Sequence, residues 1–332
     1  MRKILIYIFG FVLLCFLIPI IFTKRPEKAV VAINEVSKES DNNQNENKTD
    51  TKTPTIVKLL HAETGEVEEL EMDKYLYGVV SAEMPANFEK EALKAQAIVA
   101  RTYTEYKIYK GSKHENADIC DDSKCCQAWI SKEKRFEKWN EVDRENNWNK
   151  ITSAVDETSG KIITYDGAPI NAFFHSNSGG TTETVANVWG GSNYPYLQSV
   201  ETSGEDGYTQ YASTVTLSKE EVLQKMQAEY PETTIDWTQE MPIQITEYNE
   251  SGRVKTIQIG NKSISGVEAR TIFGLKSAKF NVQVGENVQF DVVGYGHGVG
   301  LSQTGADAMA KTGATAEQII NHYYTGVKIE NI

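Results

Sequence analysis

The sequence EALKAQAIVARTY, residues 91–103, decides the fold because it is the strongest helical segment of the chain. Alanine has the highest helix propensity, and neither glycine nor proline interrupts the stretch. We therefore predict a helix from Glu89 to Lys110, buried in the centre of the protein. Lys94, Gln96 and Arg101 lie among its apolar residues. Buried polar groups need partners, which a carboxylate, a polar substrate or a structural salt bridge could supply.

Glu83 precedes this helix in the sequence SAEMP, residues 81–85. Asp73 is expected to cap an apolar-faced helix that ends at Met84, before Pro85. A carboxyl at that helix end could be partly desolvated, which raises its pKa toward the range that a general acid needs. The alternative is a solvated glutamate without a catalytic role.

Turn residues mark hairpins around this core. Thr64-Gly65 divides residues 55–72 into paired strands, and Asp166-Gly167 divides residues 161–174 in the same way. Helices mixed with antiparallel hairpins, without regular alternation of strand and helix, indicate an α+β fold in which about 212–290 could form a smaller subdomain. Further elements are expected as helices at 145–158, 218–229, 302–312 and 315–324 and as strands near 243–248, 253–259 and 288–293.

Two segments combine glycine with polar side chains, namely FFHSNSGG at 173–180 and GYGHGVGLSQTGA at 294–306. Glycine lets the backbone approach a ligand closely. A serine nucleophile is disfavoured because neither segment has a nucleophile-elbow pattern. The histidines could also be structural residues. The candidate sugar-binding residues are His175, Ser178, His297, Ser302 and Gln303, with Trp189, Tyr194 and Tyr196 for stacking on pyranose rings.

His114, Cys120, Cys125 and Cys126 lie within 13 residues of one another. The fourth cysteine, Cys15, falls in an apolar stretch, so three cysteines remain outside it and cannot all pair. Histidine and cysteine are the usual ligands of zinc. We predict a structural zinc site with His114, Cys120 and Cys126 as ligands and Cys125 or water as the fourth; a disulfide with one free thiol is the alternative.

The amino-terminal segment predicts a membrane anchor. Residues 4–22 contain no charge, are long enough to span a bilayer, and are followed by polar residues rather than a cleavage site. We expect residues 1–25 to form a transmembrane signal anchor and residues 26–54, which lack aromatics, to form a disordered linker. Residues 55–332 should then be an extracytoplasmic domain. The net charge of −12, without a long basic run, argues against nucleic acid as a partner.

Four ordered motifs carry a resemblance to a known family: EMPANFEKEALKAQAIVARTY, FHSNSGG, VWGGSNYPYLQSV and GYGHGVGLSQTGA. In these the sequence resembles the stage II sporulation protein D family of lytic transglycosylases, over essentially residues 55–332. The resemblance implies that Glu83 is the catalytic glutamate and that Arg101 and Tyr196 occupy positions tied to activity. It further implies cleavage of peptide-stripped peptidoglycan strands between N-acetylmuramic acid and N-acetylglucosamine, leaving a 1,6-anhydro product.

The resemblance also implies a setting and an alternative function. The expected place is the cell membrane, between mother cell and forespore during sporulation engulfment, with a cell-wall amidase and other membrane proteins of engulfment as partners. Amidase enhancers are related proteins, so a non-catalytic glycan-binding enhancer of an amidase is the main alternative. A hydrolase whose zinc activates water is a further alternative, and it would need an open coordination site and a nearby base.

Overall fold

A computed structural model describes residues 55–192 and 194–332. The predicted anchor, residues 1–25, and the predicted linker, residues 26–54, lie outside the described residues. Among the helices of the described part, none combines the length and the apolar character needed to cross a bilayer. The described chain mixes helices with small, mostly antiparallel sheets, so the predicted α+β class is confirmed.

The central element is helix α2, Lys90–Lys110, which matches the predicted central helix. Its alanines Ala92, Ala95, Ala97 and Ala100 are buried, because their small side chains allow neighbouring elements to approach on several sides. Helices α1 (Met72–Glu83), α4 (Arg144–Asp156), α8 (Gln303–Lys311) and α9 (Ala316–Tyr323) and strand β4 (Lys161–Tyr165) all pack against α2.

The larger hydrophobic core forms around α2 and three small sheets. The predicted hairpin at 55–72 is present as β1 (Ile56–Leu60) and β2 (Val67–Glu71), and β1 also pairs in parallel with β3 (Ile119–Cys120). Strand β4 turns at Asp166-Gly167 into β5 (Ala168–Pro169), as predicted, but the partner strand is only two residues long. Beyond β5, the Ile170 amide still donates to the Ile163 carbonyl oxygen at 3.1 Å. The C-terminal strand β14 (Lys328–Asn331) pairs with the other edge of β4.

A two-stranded parallel sheet joins the two glycine-rich motifs. Strand β6 (Phe174–His175) pairs with β13 (Leu301–Ser302), so that His175 lies opposite Ser302. The approach is close enough to require glycine next to β13: a Cβ on Gly300, whose φ is +73°, would lie 2.0 Å from the Phe173 carbonyl oxygen. The fold therefore brings together two motifs whose paired residues, His175 and Ser302, are 127 positions apart in the chain.

A second hydrophobic cluster lies within residues 215–292. One of its sheets has the order β11-β12-β7 and the other β10-β9-β8, and both are antiparallel. The predicted capping box of Ser218 and Glu221 is present, and a second one, Ser265 with Glu268, begins α7. The elements are β7 (Ala212–Ser218), α6 (Lys219–Glu229), β8 (Ile243–Tyr248), β9 (Val254–Ile259), β10 (Lys262–Ser265), α7 (Gly266–Phe273), β11 (Phe280–Val284) and β12 (Asn287–Val293).

Two short helices, α3 (Lys132–Lys138) and α5 (Val185–Trp189), complete the described helices together with a 3-10 turn at Glu141–Asp143. Helix α3 begins at Ser131, whose hydroxyl accepts a hydrogen bond from the Lys134 amide, and it contacts α1. It carries KEKRFEK, a polar sequence without a buried residue. Because this segment has no apolar stripe, the sequence pattern did not predict a helix there.

Arg101 is buried in the middle of α2, with 1% of its surface exposed. Its guanidinium donates to Asp73 Oδ1 at 2.8 Å and to the carbonyl oxygens of Thr158 at 2.7 Å and Lys161 at 3.2 Å. Asp73 is therefore not the helix cap that the sequence suggested; the cap position is Glu71, and Asp73 lies in the first turn of α1, facing Arg101. The ion pair joins α1 to α2. Of the possible partners considered for Arg101, the structure therefore shows a salt bridge within the protein.

We predict that Arg101→Ala lowers the free energy of unfolding by about 3 kcal/mol, because it leaves a carboxylate and buried carbonyl groups without a donor. Denaturant unfolding measures this loss. The control is Lys255→Ala, which removes an exposed ion pair with Glu247 and should cost less than about 1 kcal/mol. Equal stability of Arg101→Ala and the unaltered protein would contradict the structural role.

Candidate functional site

Glu83 is the last residue of α1. The next residue, Met84, has extended backbone angles, φ −122° and ψ 143°, as expected before Pro85. The chain therefore leaves the helix sharply at this point. The Glu83 carboxyl accepts a hydrogen bond of 2.6 Å from the backbone amide of Ala128.

The segment that supplies this amide is fixed on both sides of Ala128. On one side, the buried Gln127 donates from Nε2 to Tyr75 Oη at 2.8 Å and to Thr104 Oγ1 at 3.0 Å, which ties the segment to α1 and α2. On the other side, the Trp129 ring lies against Gly78, where a Cβ would be only 2.1 Å from Trp129 Nε1. Gly78 thus lets the segment lie close to the helix that carries the acid.

The pKa of Glu83 is raised above the ordinary value of a glutamate, and burial is the largest cause. Hydrogen bonds from the Ala128 amide and the Gln303 side chain act in the opposite direction, because they stabilise the carboxylate. The carboxyl is shifted toward its protonated form relative to a solvated glutamate, while donors for the carboxylate are already in place. A carboxyl in this environment can release a proton and take one up again.

Glu83 lines a cleft of about 600 Å³. Its walls come from the end of α1, the loop that precedes α2, helix α3, the start of α4 and the start of α8. Carboxamides and hydroxyls outnumber the charged side chains of the lining, which suits a ligand rich in hydroxyl and acetamido groups. The lining residues are Ala82, Glu83, Met84, Pro85, Ala86, Asn87, Phe88, Arg135, Trp139, Asp143, Asn147, Ser176, Gln210, Gln303 and Thr304.

Gln303 is the one predicted sugar-binding residue that shares this lining with Glu83. It is the first residue of α8, and its Nε2 is 3.5 Å from Gln96 Oε1 on α2. Gln96 is fully buried, and its own Nε2 has no hydrogen-bond partner within the described residues. The packing of α8 on α2 therefore connects the buried carboxamide of Gln96 to the acid through Gln303.

Ser178 and Ser302 point toward a buried carboxylate that the sequence analysis did not identify. Glu205 is 2% exposed and accepts hydrogen bonds from both serine hydroxyls and from Thr304 Oγ1, the last at 2.9 Å. It also accepts from the backbone amides of Ser178 and Gly180 at 3.0 Å. Glu205 thus holds the two glycine-rich motifs together, and it does so without reaching the lining of the cleft.

His175 and His297 are also held by backbone groups outside the cleft lining. His175 Nδ1 lies 3.2 Å from the Val299 carbonyl oxygen, and His297 Nδ1 accepts from the Val299 amide at 3.0 Å. Burial lowers the pKa of His175 to about 3 and lowers that of His297 well below its usual value. Both rings are therefore neutral at physiological pH, and the Trp189 ring lies 5.0 Å from the His297 ring, tilted by 52°.

Two further predicted substrate-binding residues, Lys94 and Tyr196, have partners within the protein. Lys94 Nζ bonds Glu91 at 2.8 Å and lies 3.8 Å from Glu157. Tyr196 is buried, its hydroxyl accepts from the Asn171 amide at 3.0 Å, and its ring stacks on Tyr194. Like Arg101, neither of these residues lines the cleft with Glu83.

The structure brings together all four predicted metal ligands. The ligand atoms of His114, Cys120, Cys125 and Cys126 lie within 4.8 Å of one another. His114 Nε2 is 3.5 Å from Cys126 Sγ and 3.6 Å from Cys125 Sγ, and these two sulfurs are 3.7 Å apart. A tetrahedral zinc with ordinary bond lengths places its donors roughly 3.5–3.8 Å apart. Cys120, Cys125 and Cys126 are not disulfide-bonded in the structure.

Sequence reasoning missed the cleft residues on and beyond α3. Arg135 and Trp139 lie on or just after this short polar helix, and Asp143 and Asn147 lie where the chain enters α4. The aromatic residues in this otherwise polar stretch, Phe136, Trp139 and Trp148, were the available signal. They pack against one another with ring centroids about 6 Å apart and so build this wall of the cleft.

Comparison with known proteins places the chain among sporulation proteins. A family profile described as "Stage II sporulation protein" matches residues 61–165. A protein of Bacillus amyloliquefaciens named "Stage II sporulation protein D" is 36% identical over 83% of this chain and 79% of its own length. The protein of that name from Bacillus subtilis (strain 168) is 35% identical over the same shares. An "Amidase enhancer" of Bacillus subtilis is 27% identical over 76% of this chain but only 40% of its own length.

The raised pKa of Glu83 predicts a pH-dependent effect on stability. A carboxyl whose pKa is higher in the folded protein than in the unfolded chain stabilises the folded state fully at a pH below the unfolded pKa. This stabilisation is lost as the pH rises through the folded pKa. Glu83→Gln removes this titration and keeps an acceptor for Ala128. We expect its Tm to exceed that of the unaltered protein by about 2–4 °C near pH 7, with the difference vanishing toward pH 4. Thermal unfolding across this pH range measures the effect.

Glu91→Gln is the matched control, with the opposite sign. Burial would raise the pKa of Glu91, but hydrogen bonds from Lys94 and the Ala316 amide lower it overall. Glu91→Gln should therefore be less stable than the unaltered protein near neutral pH and approach it in acid. If both variants shifted with pH in the same direction, the assigned environment of Glu83 would be wrong.

Proposed function

The chain belongs to the stage II sporulation protein D family, and from this premise we propose that it is a lytic transglycosylase of peptidoglycan. It would cleave glycan strands stripped of their stem peptides between N-acetylmuramic acid and N-acetylglucosamine. One observation carries the proposal: Glu83, with its raised pKa, lies in a cleft lined mainly by neutral polar groups. The names of the two Bacillus relatives support a role in sporulation, and the setting that we propose within sporulation is engulfment.

In the proposed mechanism Glu83 acts twice. It first protonates the glycosidic oxygen, so that the bond to the anomeric carbon of N-acetylmuramic acid breaks. The resulting carboxylate then takes the proton of the muramic 6-hydroxyl, whose oxygen closes the 1,6-anhydro ring. The Ala128 amide and Gln303, which favour the carboxylate, stabilise the state between the two transfers.

A hydrolytic mechanism is the first rival, because most glycoside hydrolases use a pair of carboxyl groups. The cleft lining holds one other acid, Asp143, at the junction of the 3-10 turn and α4. In the proposed mechanism no water is activated, so Asp143 takes no part in the reaction. Its substitution separates the two mechanisms.

A structural zinc ion fits the cluster of His114, Cys120, Cys125 and Cys126. Four protein ligands close the coordination shell, so the metal would supply stability and no Lewis acid for the reaction. The cluster ends at Cys126, two residues before Ala128. Holding these four side chains therefore fixes the segment that hydrogen-bonds Glu83, which links the metal to the acid through the backbone.

The proposed place of action is the outer side of the cell membrane. Residues 1–25 would anchor the chain and residues 26–54 would tether the domain near the wall, between the membranes of mother cell and forespore. A cell-wall amidase that removes stem peptides is the proposed partner, because its product is the proposed substrate. Other membrane proteins of engulfment are proposed partners on the same ground.

A non-catalytic enhancer of an amidase is the second candidate function. The observation that favours it is the similarity to the Bacillus subtilis protein named "Amidase enhancer". Such a module would bind glycan in the same cleft and stimulate the amidase without cutting strands. Glu83 would then matter for neither binding nor stimulation.

We predict that Glu83→Gln abolishes strand cleavage, because the amide cannot transfer the proton, whereas glycan binding persists. Chromatography of the glycan fragments released from peptide-free strands by purified protein measures cleavage. Asp143→Asn is the matched control in the same cleft and should retain most of the activity. Loss of cleavage in Asp143→Asn alone would support hydrolysis, and full cleavage by folded Glu83→Gln would contradict the proposed mechanism. Stimulation of the amidase that survives Glu83→Gln, without cleavage by either protein form, would identify an enhancer.

We also predict one zinc ion per chain, measured by elemental analysis of the purified protein. Its removal by a chelator should lower the Tm by more than about 10 °C, because the metal contributes directly to folding free energy. Cys120→Ser together with Cys126→Ser should abolish binding. Full zinc content in that double variant, or a defined disulfide among the cysteines, would contradict the site.

A further inference from the structure

Arg135 is the one basic residue in the lining of the cleft that contains Glu83. It lies on α3, and its guanidinium carbon is 4.8 Å from the centre of the Trp139 ring. This stacking holds the flat guanidinium group over an aromatic surface and orients it. The position of its charge is therefore set by the protein before any ligand binds.

The charge of Arg135 has no acidic partner among the described residues. Burial alone lowers its pKa, and no carboxylate offsets that effect. Its Nε is buried and has no hydrogen-bond partner within residues 55–192 and 194–332. By contrast, Arg101 pairs with Asp73, and the buried Arg253 donates to two carbonyl oxygens at 2.8 Å. A guanidinium that is held in a cleft without a carboxylate beside it is free to bind an anionic ligand.

We propose that Arg135 binds the free lactyl carboxylate of an N-acetylmuramic acid residue and thereby selects strands from which the stem peptide has been removed. This inference rests on the proposed function, in that it assumes a peptidoglycan strand in the cleft. It identifies the residue that distinguishes bare strands from peptide-bearing ones, and it fixes which sugar occupies this part of the cleft.

The chemistry of the polymer supports this occupant. N-acetylmuramic acid and N-acetylglucosamine differ by the 3-O-lactyl group, so its carboxylate is the only charge by which the two sugars of a bare strand differ. When a stem peptide is attached, the same carboxyl is an amide and carries no charge. A guanidinium donates two parallel hydrogen bonds to a carboxylate but cannot do so to an amide.

The rest of the cleft is suited to the neutral parts of the sugar. Asn147 and Gln210 offer carboxamides for hydroxyl and acetamido groups, and Trp139 offers an apolar surface. An Arg135 that binds the lactyl group would place a muramic residue, and therefore its 6-hydroxyl, in the cleft of Glu83. The ring closure proposed above requires this sugar and no other, because N-acetylglucosamine in its place would put the wrong bond in reach of the acid.

Binding of three ligands to the Glu83→Gln protein tests the inference independently of cleavage. The ligands are peptide-free strands, the same strands with their lactyl carboxylates converted to methylamides, and peptide-bearing strands. We expect peptide-free strands to bind about 10- to 100-fold more tightly than the methylamide strands. Adding Arg135→Gln should reduce this ratio to about threefold or less, mainly by weakening the binding of peptide-free strands. Arg135→Lys should recover part of the ratio.

Lys134→Gln is the matched control, because it removes one positive charge from the neighbouring exposed position of the same helix. It should leave the ratio unchanged, and thermal unfolding should confirm that every variant is folded. An unchanged ratio in Arg135→Gln would overturn the inference, and so would a specific loss of peptide-bearing strands, which would mean that Arg135 binds the stem peptide. If the ratio behaves as expected but the unaltered protein cuts no strand, the inference stands and the proposed catalytic function fails.

Discussion

The burial of α2 is the constraint on which the rest of the described structure depends. Its alanines allow α1 and α8 to lie against the same helix, which places Glu83, at the end of α1, within reach of Gln303, at the start of α8. The acid and its hydrogen-bonding partner are 220 residues apart in sequence. Larger side chains on α2 would separate the two helices and thus the two groups of the site.

The segment that follows the cysteine cluster is fixed against α1 and α2, and it supplies a hydrogen bond to the Glu83 carboxyl. Cys125 and Cys126 belong to the candidate metal site, Gln127 bonds both α1 and α2, and Ala128 bonds Glu83. Burial and hydrogen bonding act on the Glu83 carboxyl in opposite directions, and burial is the stronger effect. This balance suits the proposed role of Glu83, which would first give a proton and then take one, since neither charge state is fixed.

Local patterns predicted much of the fold and part of the site. Alanine content predicted α2, turn residues predicted the hairpin of β1 and β2, and the cysteine spacing predicted a cluster that includes all four ligands. Partners distant in sequence could not be predicted. Nothing near Ser178 or Ser302 indicates that both donate to Glu205, and the short polar helix of Arg135 has no apolar stripe to identify it. The same limit applies to Arg101, whose partner Asp73 resembled a helix cap in the sequence.

The central claim is that the muramic 6-hydroxyl, and not water, attacks the sugar after Glu83 has protonated the leaving oxygen. Cleavage of peptide-free strands in water enriched in oxygen-18, followed by mass spectrometry of the new product ends, tests this most directly. The account predicts anhydro ends without any oxygen-18, because the ring oxygen comes from the sugar itself. Reducing ends that carry one oxygen-18 atom would show hydrolysis and would contradict the account.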